Sequence, residues 1–125
     1  IRILSYYKQD QFNKSQWLEM ANSKDSLVFY MATENAANIV DNLLLNGSNS
    51  EKPIMIIENA TTNKHREYVT NLSQFNNQFQ QHKFQSPAII FVGDVIRSSK
   101  ANLNVESQKE LSLILFNQFP NRANG

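Results

Sequence analysis

The chain contains three uninterrupted runs of apolar residues, at positions 27–31, 54–57 and 88–92. Each run is too short for a typical buried helix and is bounded by polar or turn residues. Because apolar and polar residues do not alternate within them, the runs are typical of strands that are buried on both faces. Two weaker patterns, at residues 1–4 and 66–72, predict two further strands, of which the second is half-exposed.

Helical patterns lie between these strands. Thr33 is predicted to cap a helix that Gly47 closes in a left-handed conformation, and its apolar face carries Ala36, Val40, Leu43 and Leu44. Ser73 is predicted to cap a second helix with one stripe formed by Phe75, Phe79 and His82. A shorter helix is expected over residues 15–21, burying either Trp17 or Leu18.

The predicted order of elements is β-α-β-α-β-β-α-β, followed by a tail in which residues 106–116 fit either a strand or a buried helix face. This order predicts an α/β fold with a mixed, mostly parallel sheet and helices on both faces. The short connection over residues 58–66 predicts one antiparallel pair. Ligands of such sheets gather beyond the carboxyl ends of strands, which nominates residues 30–32, 58–61 and 92–94.

Composition narrows the possible functions. The 125 residues carry 12 basic and 11 acidic side chains, so a net charge of +1 gives no reason to expect nucleic-acid or membrane binding. There is no cysteine and there are only two histidines, so no metal site is expected, and a reducing, cytoplasmic location fits. No apolar stretch approaches the roughly 20 residues that span a bilayer.

Catalytic arrangements are weak in this sequence. His65 lies beside Arg66, with Glu67 and Glu58 nearby, a set that could form a base and its orienter. Neighbours on a strand point to opposite faces, however, so a turn and an exposed strand start are the simpler interpretation. His82 is interpreted as a packed or boundary histidine on an apolar helical stripe. What remains suits a binding pocket in which Met31 offers a polarizable apolar surface, although spacing alone favours a core methionine and a tight turn. Ala60 would allow close backbone approach, and Thr61 and Thr62 offer hydroxyl groups in the same turn.

Four blocks of the chain resemble the C-terminal half of the uroporphyrinogen-III C-methyltransferases, members of the tetrapyrrole methylase family. The first block begins at Gln16-Trp17, where the family has Asp-Trp before a short helix. Residues 26–32 read SLVFYMA, similar to the family's T-L-V-x-Y-M-G, and residues 53–62 read PIMIIENATT, similar to P-V-A-V-V-E-N-G-T. After the R-E-Y-V segment that begins at residue 66, residues 86–95 read SPAIIFVGDV, similar to S-P-A-L-I-I-V-G-E-V.

The resemblance implies S-adenosylmethionine as methyl donor and the tetrapyrrole uroporphyrinogen III as acceptor, giving precorrin-2 for sirohaem or cobalamin. It implies that Met31 lines the donor site and that Ala60 contacts the donor through its backbone. Ala32, Thr61 and Ala88 are weaker candidates for the walls around the adenine. Family members are commonly homodimers, so a homodimer is expected.

The resemblance also implies that residues 1–125 are a single domain, the C-terminal lobe of a larger methyltransferase with an unmatched tail at 97–125. The catalytic residues are then expected in a missing N-terminal lobe, and the isolated chain is expected to be inactive. The family's glycines are alanines here, at Ala32 and Ala60, and its T-G-H is replaced by Ser5-Tyr6-Tyr7. Two alternatives stay open: another precorrin methylase, and a non-catalytic α/β interaction module.

Overall fold

A computed structural model describes residues 2–6, 10–31, 36–59, 63–79, 81–85 and 88–94. These residues form five strands and three helices in the predicted order. The strands are β1 (Arg2–Tyr6), β2 (Leu27–Met31), β3 (Pro53–Glu58), β4 (Arg66–Asn71) and β5 (Ala88–Val92), and the helices are α1 (Lys14–Ala21), α2 (Ala36–Leu45) and α3 (Leu72–Phe79). The tail and the predicted cap at Thr33 lie outside the described residues.

Local side-chain and backbone contacts set the helix ends. Helix α1 begins with a reciprocal capping box between Asn13 and Gln16. Helix α2 ends at Leu45 and is closed, as predicted, by Gly47 in a left-handed conformation with a φ of 102°. The Gly47 N–H bonds to the Leu44 carbonyl at 3.2 Å and the next N–H, of Ser48, reaches back into the last turn, so the final carbonyls of α2 are satisfied.

The predicted cap of α3 is wrong. Helix α3 begins at Leu72, and the side chain of Asn71, not that of Ser73, accepts the Gln74 N–H at 2.9 Å. The reason is that β4 runs directly into α3, which places the cap on the last residue of the strand and Ser73 within the helix.

The sheet is mixed, as predicted, with the strand order β1-β2-β5-β3-β4. The antiparallel β3–β4 pair expected from the short connection is confirmed. The expectation of a mostly parallel sheet is wrong for neighbouring strands, because only β1 and β2 pair in parallel. The β3–β4 hairpin reverses the chain, and the α3 crossover then lays β5 parallel to β4. Inserted between β2 and β3, strand β5 is therefore antiparallel to both.

Two apolar clusters cover the two faces of the sheet. The larger cluster joins β1–β5 to all three described helices, through buried side chains such as Trp17, Ile39 and Phe75. The smaller cluster contains only strand residues, among them Val28, Met55 and Ile89. The three described helices therefore pack on one face, and no described helix covers the second face, although the sequence predicts helices on both.

Burial follows the sequence pattern closely. Every residue of β3 and β5 is buried, as their continuous apolar runs predict, and β4 is half-exposed. Helix α1 buries Trp17, which is 3% exposed, and leaves Leu18 50% exposed. In the part of the chain that the structure describes, no helix is long and apolar enough to cross a bilayer.

Candidate functional site

The carboxyl ends of β1, β2 and β3 lie side by side, because these three strands point the same way. They form one edge of the sheet, an edge made of strand ends and not of an outer strand. One row of registered residues crosses this edge. Met31 pairs with Tyr6 on one side and with Ala88 on the other, and Ala88 pairs in turn with Glu58. We call this row, from Tyr6 to Glu58, the strand-end row.

Two of the residues expected at a donor site are thus direct neighbours. Met31 and Ala88 face each other across the β2–β5 pair, and Ala88 is buried. The other three candidates, Ala32, Ala60 and Thr61, lie outside the described residues. Ala32 follows Met31 and Ala60 follows Asn59 in the chain, so both come directly after described positions at this edge.

The third nominated strand end is wrong. Residues 92–94 are the carboxyl end of β5, but β5 is antiparallel to β2 and β3, so this end lies at the opposite edge. There Val92 pairs with Leu27 and Ile54, and the Gly93 N–H bonds to the Pro53 carbonyl at 3.0 Å. The start of β5, at Ala88, takes its place in the strand-end row.

A left-handed residue begins the turn after β3. Asn59 has a φ of 51°, a conformation that asparagine tolerates better than most residues. Its side-chain amide donates to Gln85 Oε1 at 2.7 Å, which ties the turn to the segment that precedes β5.

Glu58 is the most constrained polar side chain at this edge. It is 3% exposed, yet both carboxylate oxygens accept hydrogen bonds. Tyr68 donates its hydroxyl to Oε1 at 2.7 Å, the Gln85 backbone N–H donates to Oε2 at 2.6 Å, and His82 Nε2 lies 3.3 Å from the same oxygen. Burial raises the pKa of Glu58, but these hydrogen bonds outweigh it, so the pKa lies below its usual value and the group is ionised at neutral pH.

The partners of Glu58 are packed in an aromatic cluster. The ring of His82 lies 4.3 Å from that of Phe84 and 5.1 Å from that of Tyr68. Phe84 itself is buried. The hydrogen bond that Tyr68 donates to Glu58 raises the pKa of Tyr68, and burial raises it further. His82 is a boundary residue, exposed to solvent but in contact with these rings, as one of the two predicted alternatives has it. It follows α3 instead of lying on its stripe, because the helix ends at Phe79.

From the sequence, Glu58 belongs to the nominated strand end 58–61 and is one of two carboxylates near His65, but the structure places it beside a different histidine. His65 lies 3.5 Å from Glu67, and His82 is the histidine beside Glu58. The signal that could have identified Glu58 is its position as an acidic residue that ends an otherwise apolar buried strand, where an ionised group needs donors from elsewhere in the fold.

A cavity of about 440 Å³ opens beside this network. It is lined by the end of β3, by residues 64–66 and by the segment 82–85, apart from residue 84. Polar groups and side-chain stems share its wall, so this part of the edge offers both hydrogen bonds and apolar surface to a ligand.

Solved structures with the same fold are methyltransferases. The chain superimposes with a TM-score of 0.62 and 22% identity on a uroporphyrin-III C-methyl transferase from Thermus thermophilus complexed with S-adenosylhomocysteine, over 78% of this chain and 42% of that one. A cobalt precorrin-4 methyltransferase matches with a TM-score of 0.59 and 14% identity, over 74% of this chain and 40% of that one. The fold is therefore that of one part of a tetrapyrrole methylase.

Curated relatives agree with the fold. A siroheme synthase of Salmonella schwarzengrund is 39% identical over 80 residues, which are 64% of this chain and 17% of that protein. A uroporphyrinogen-III C-methyltransferase of Bacillus subtilis is 31% identical over 80 residues, again 64% of this chain and 17% of that protein. No protein-family model matches the chain.

These comparisons confirm the resemblance to the uroporphyrinogen-III C-methyltransferases. The chain spans about a fifth of the length of the curated relatives it matches and about 40% of the matching solved structures, and the second share is consistent with one lobe.

Proposed function

We propose that this chain is the C-terminal lobe of an S-adenosylmethionine-dependent uroporphyrinogen-III C-methyltransferase that makes precorrin-2 for sirohaem or cobalamin. The observation that carries the proposal is the register of the strand-end row, in which Met31 and Ala88 are direct neighbours at the edge where the E-N-A-T turn begins. The lobe would supply one wall of the donor cleft, and the other lobe would supply the opposite wall and the catalytic groups.

The residues at this edge fit a nucleoside-containing donor. Met31 and Ala88, with Ala32, Ala60 and Thr61, would hold it through apolar contacts and main-chain groups. One buried hydroxyl lies near this edge on the opposite face of the sheet from Tyr6 and Ala88: Ser5 Oγ has no hydrogen-bond partner in the part of the chain that the structure describes. Such a group is costly to bury unless something bonds to it. The bound donor would supply the methyl group from its sulfonium.

Positioning is the main task of such a site. Methyl transfer needs the acceptor carbon in line with the bond that breaks, so alignment of the two reactants supplies much of the rate. Backbone strand ends held in a sheet are rigid supports for that purpose. The one buried carboxylate of the described edge, Glu58, has both oxygens occupied by hydrogen bonds within the fold. We therefore assign it no role in proton transfer.

The proposal includes a homodimer in the cytoplasm and an inactive isolated chain. A second candidate function is methylation of a different precorrin, which the fold shared with the cobalt precorrin-4 methyltransferase favours. The two candidates differ in the acceptor and not in the donor, so they make the same prediction about donor binding.

Calorimetry on the full-length protein that contains this chain tests the donor site. We expect S-adenosylhomocysteine to bind, and Met31→Ala to weaken binding by about tenfold through lost apolar contacts. Leu45→Ala, at a side chain that is 82% exposed, is the matched control and leaves the affinity unchanged. Absence of binding to the wild type would support the non-catalytic module instead.

A methyl-transfer assay with uroporphyrinogen III separates the two enzymatic candidates. We expect the full-length protein to give a doubly methylated product and the 125-residue chain alone to give none. A protein that binds the donor but leaves uroporphyrinogen III unmethylated would favour another precorrin as acceptor.

A further inference from the structure

Glu58 holds the chain before β5 at two points. Its backbone pairs with Ala88 in the β3–β5 ladder, and its carboxylate accepts the backbone N–H of Gln85 at 2.6 Å. These two points are three residues apart in the chain. Glu58 therefore fixes both the position of the backbone at Gln85 and the residue at which β5 starts.

The same carboxylate gathers the surroundings of that segment. Tyr68, on β4, donates its hydroxyl to one carboxylate oxygen at 2.7 Å. His82, between α3 and β5, has its Nε2 atom 3.3 Å from the other oxygen. Asn59, the next residue, adds a bond from its side chain to that of Gln85 at 2.7 Å. Two separate parts of the chain, β4 and the segment 82–85, thus converge on the end of β3.

Stability alone does not explain an ionised carboxylate at this depth. Apolar side chains of similar volume often replace buried ionic groups at no cost, or with a gain, in the free energy of unfolding. What a buried carboxylate with directional donors adds is a defined position for the groups that bond to it. At Glu58 the group so defined is the backbone that leads into Ala88.

We propose that Glu58 is a positioning residue of the donor cleft. Its carboxylate fixes the segment 82–85 and the start of β5, so that Ala88 stays in register opposite Met31. This inference rests on the proposed function, because it assumes that the strand-end row borders the donor.

The Glu58→Gln variant of the full-length protein tests the inference. The amide keeps the size of the side chain but replaces one acceptor oxygen with a donor, which cannot accept from Gln85 or Tyr68. We expect S-adenosylhomocysteine to bind about tenfold more weakly, and the KM for S-adenosylmethionine to rise while the KM for the acceptor is unchanged. Glu51→Gln, an exposed position just before the other end of β3, is the matched control and leaves both constants unchanged.

Tyr68→Phe provides a milder variant should Glu58→Gln fold poorly. It keeps the ring that packs on Phe84 and removes one donor, while the bond from Gln85 remains. A smaller loss of donor affinity, about twofold to threefold, is expected.

Amide hydrogen exchange distinguishes positioning from general stabilisation. We expect Glu58→Gln to speed exchange at Gln85 and Ala88 and to leave Leu27 and Val92, at the opposite edge, unchanged. Unchanged donor affinity in Glu58→Gln would overturn the inference, as would faster exchange throughout the sheet. A wild-type protein that does not bind S-adenosylhomocysteine would overturn the proposed function and the inference together, whereas wild-type binding with an unaffected variant overturns the inference alone.

Discussion

Gly93 and Gly47 both have positive φ angles, 130° and 102°, but their surroundings differ. A Cβ built on Gly93 would lie 2.8 Å from Ser26 Oγ and 3.0 Å from Ser26 Cα, whereas one on Gly47 meets its nearest atom, Asn22 Oδ1, at 3.5 Å. Alanine would strain the backbone at both positions, by about 1–3 kcal/mol. At Gly93 a backbone contact that cannot yield is added.

We therefore predict that Gly93→Ala lowers the free energy of unfolding more than Gly47→Ala, by a further ~1–3 kcal/mol from overpacking. Denaturant unfolding of the two variants measures this difference. Equal losses would mean that the Ser26 segment moves aside, and that the close approach between Gly93 and Ser26 is not a constraint of the fold.

The pH dependence of stability should report on Glu58. Burial raises its pKa, but the bonds from Gln85, Tyr68 and His82 lower it below the ordinary value of 4.5. A carboxyl whose pKa is lower in the folded state stabilises the fold above its unfolded pKa, and this contribution is lost as the pH falls through the folded value.

The difference in unfolding free energy between the wild type and Glu58→Gln should accordingly be constant near neutral pH and shrink below about pH 4.5. Denaturant titrations over that range measure it. A difference that persists unchanged to about pH 3 would show that the carboxylate charge is not what the partners of Glu58 stabilise.

Single residues illustrate where prediction from the sequence stops. Met31 could be nominated because it ends an apolar run, and Trp17 because it lies on a helical pattern. Glu58 and His82 could not be paired, because their contact depends on how β3 sits against the chain that leaves α3. That geometry follows from the β3–β5 register, which no local pattern encodes.

At the scale of elements, the start of α3 makes a direct comparison possible. The Asn71 side chain accepts the Gln74 N–H at 2.9 Å, and two further N–H groups, of Leu72 and Ser73, bond to carbonyls of the loop before β3. Asn71→Ala should cost about 1 kcal/mol, the usual value of a lost helix cap.

Ser73→Ala is the matched variant in the same turn. It removes only the exposed bond from Ser73 Oγ to Asn71 Oδ1, so a cost of a few tenths of a kcal/mol, about that of an exposed polar contact, is expected. The two values come from thermal or denaturant unfolding. A larger loss from Ser73→Ala than from Asn71→Ala would indicate that Ser73 caps α3, as the sequence pattern predicts.

Element order was predictable, and sheet order was not. The apolar runs and the helical stripes each reveal themselves within a window of about ten residues. The position of β5 between β2 and β3 depends on two successive events, the β3–β4 hairpin and the α3 crossover. The hairpin was predicted from its short connection. As a consequence, β5 is antiparallel to β2 and β3, and residues 92–94 lie at the opposite edge from the strand-end row. This can be worked out only when the hairpin and the crossover are combined.

At the scale of the whole molecule, one cluster connects the two lateral edges of the sheet. Near β1, the ring of Trp17 lies 6.2 Å from Tyr6 and 5.3 Å from Phe12. Near β4, Phe79 packs 5.4 Å from Tyr68 and 5.7 Å from Phe84. Buried side chains of β2, β5 and β3 join these two groups of rings without a break.

Because both groups of rings share one core, we predict that they lose their packing together. Trp17 is the only tryptophan of the chain, so its fluorescence follows the β1 side directly. The double variant Trp17→Phe, Phe79→Trp moves the reporter to the β4 side, where Phe79 is half-buried. Each reporter should give the same unfolding midpoint as circular dichroism recorded on its own variant, as a cooperative domain requires. If the β4 reporter changed at lower denaturant than the circular dichroism of the same variant, the hairpin side would be a separate unit. Glu58 would then hold the start of β5 against an edge that opens independently of the rest of the sheet.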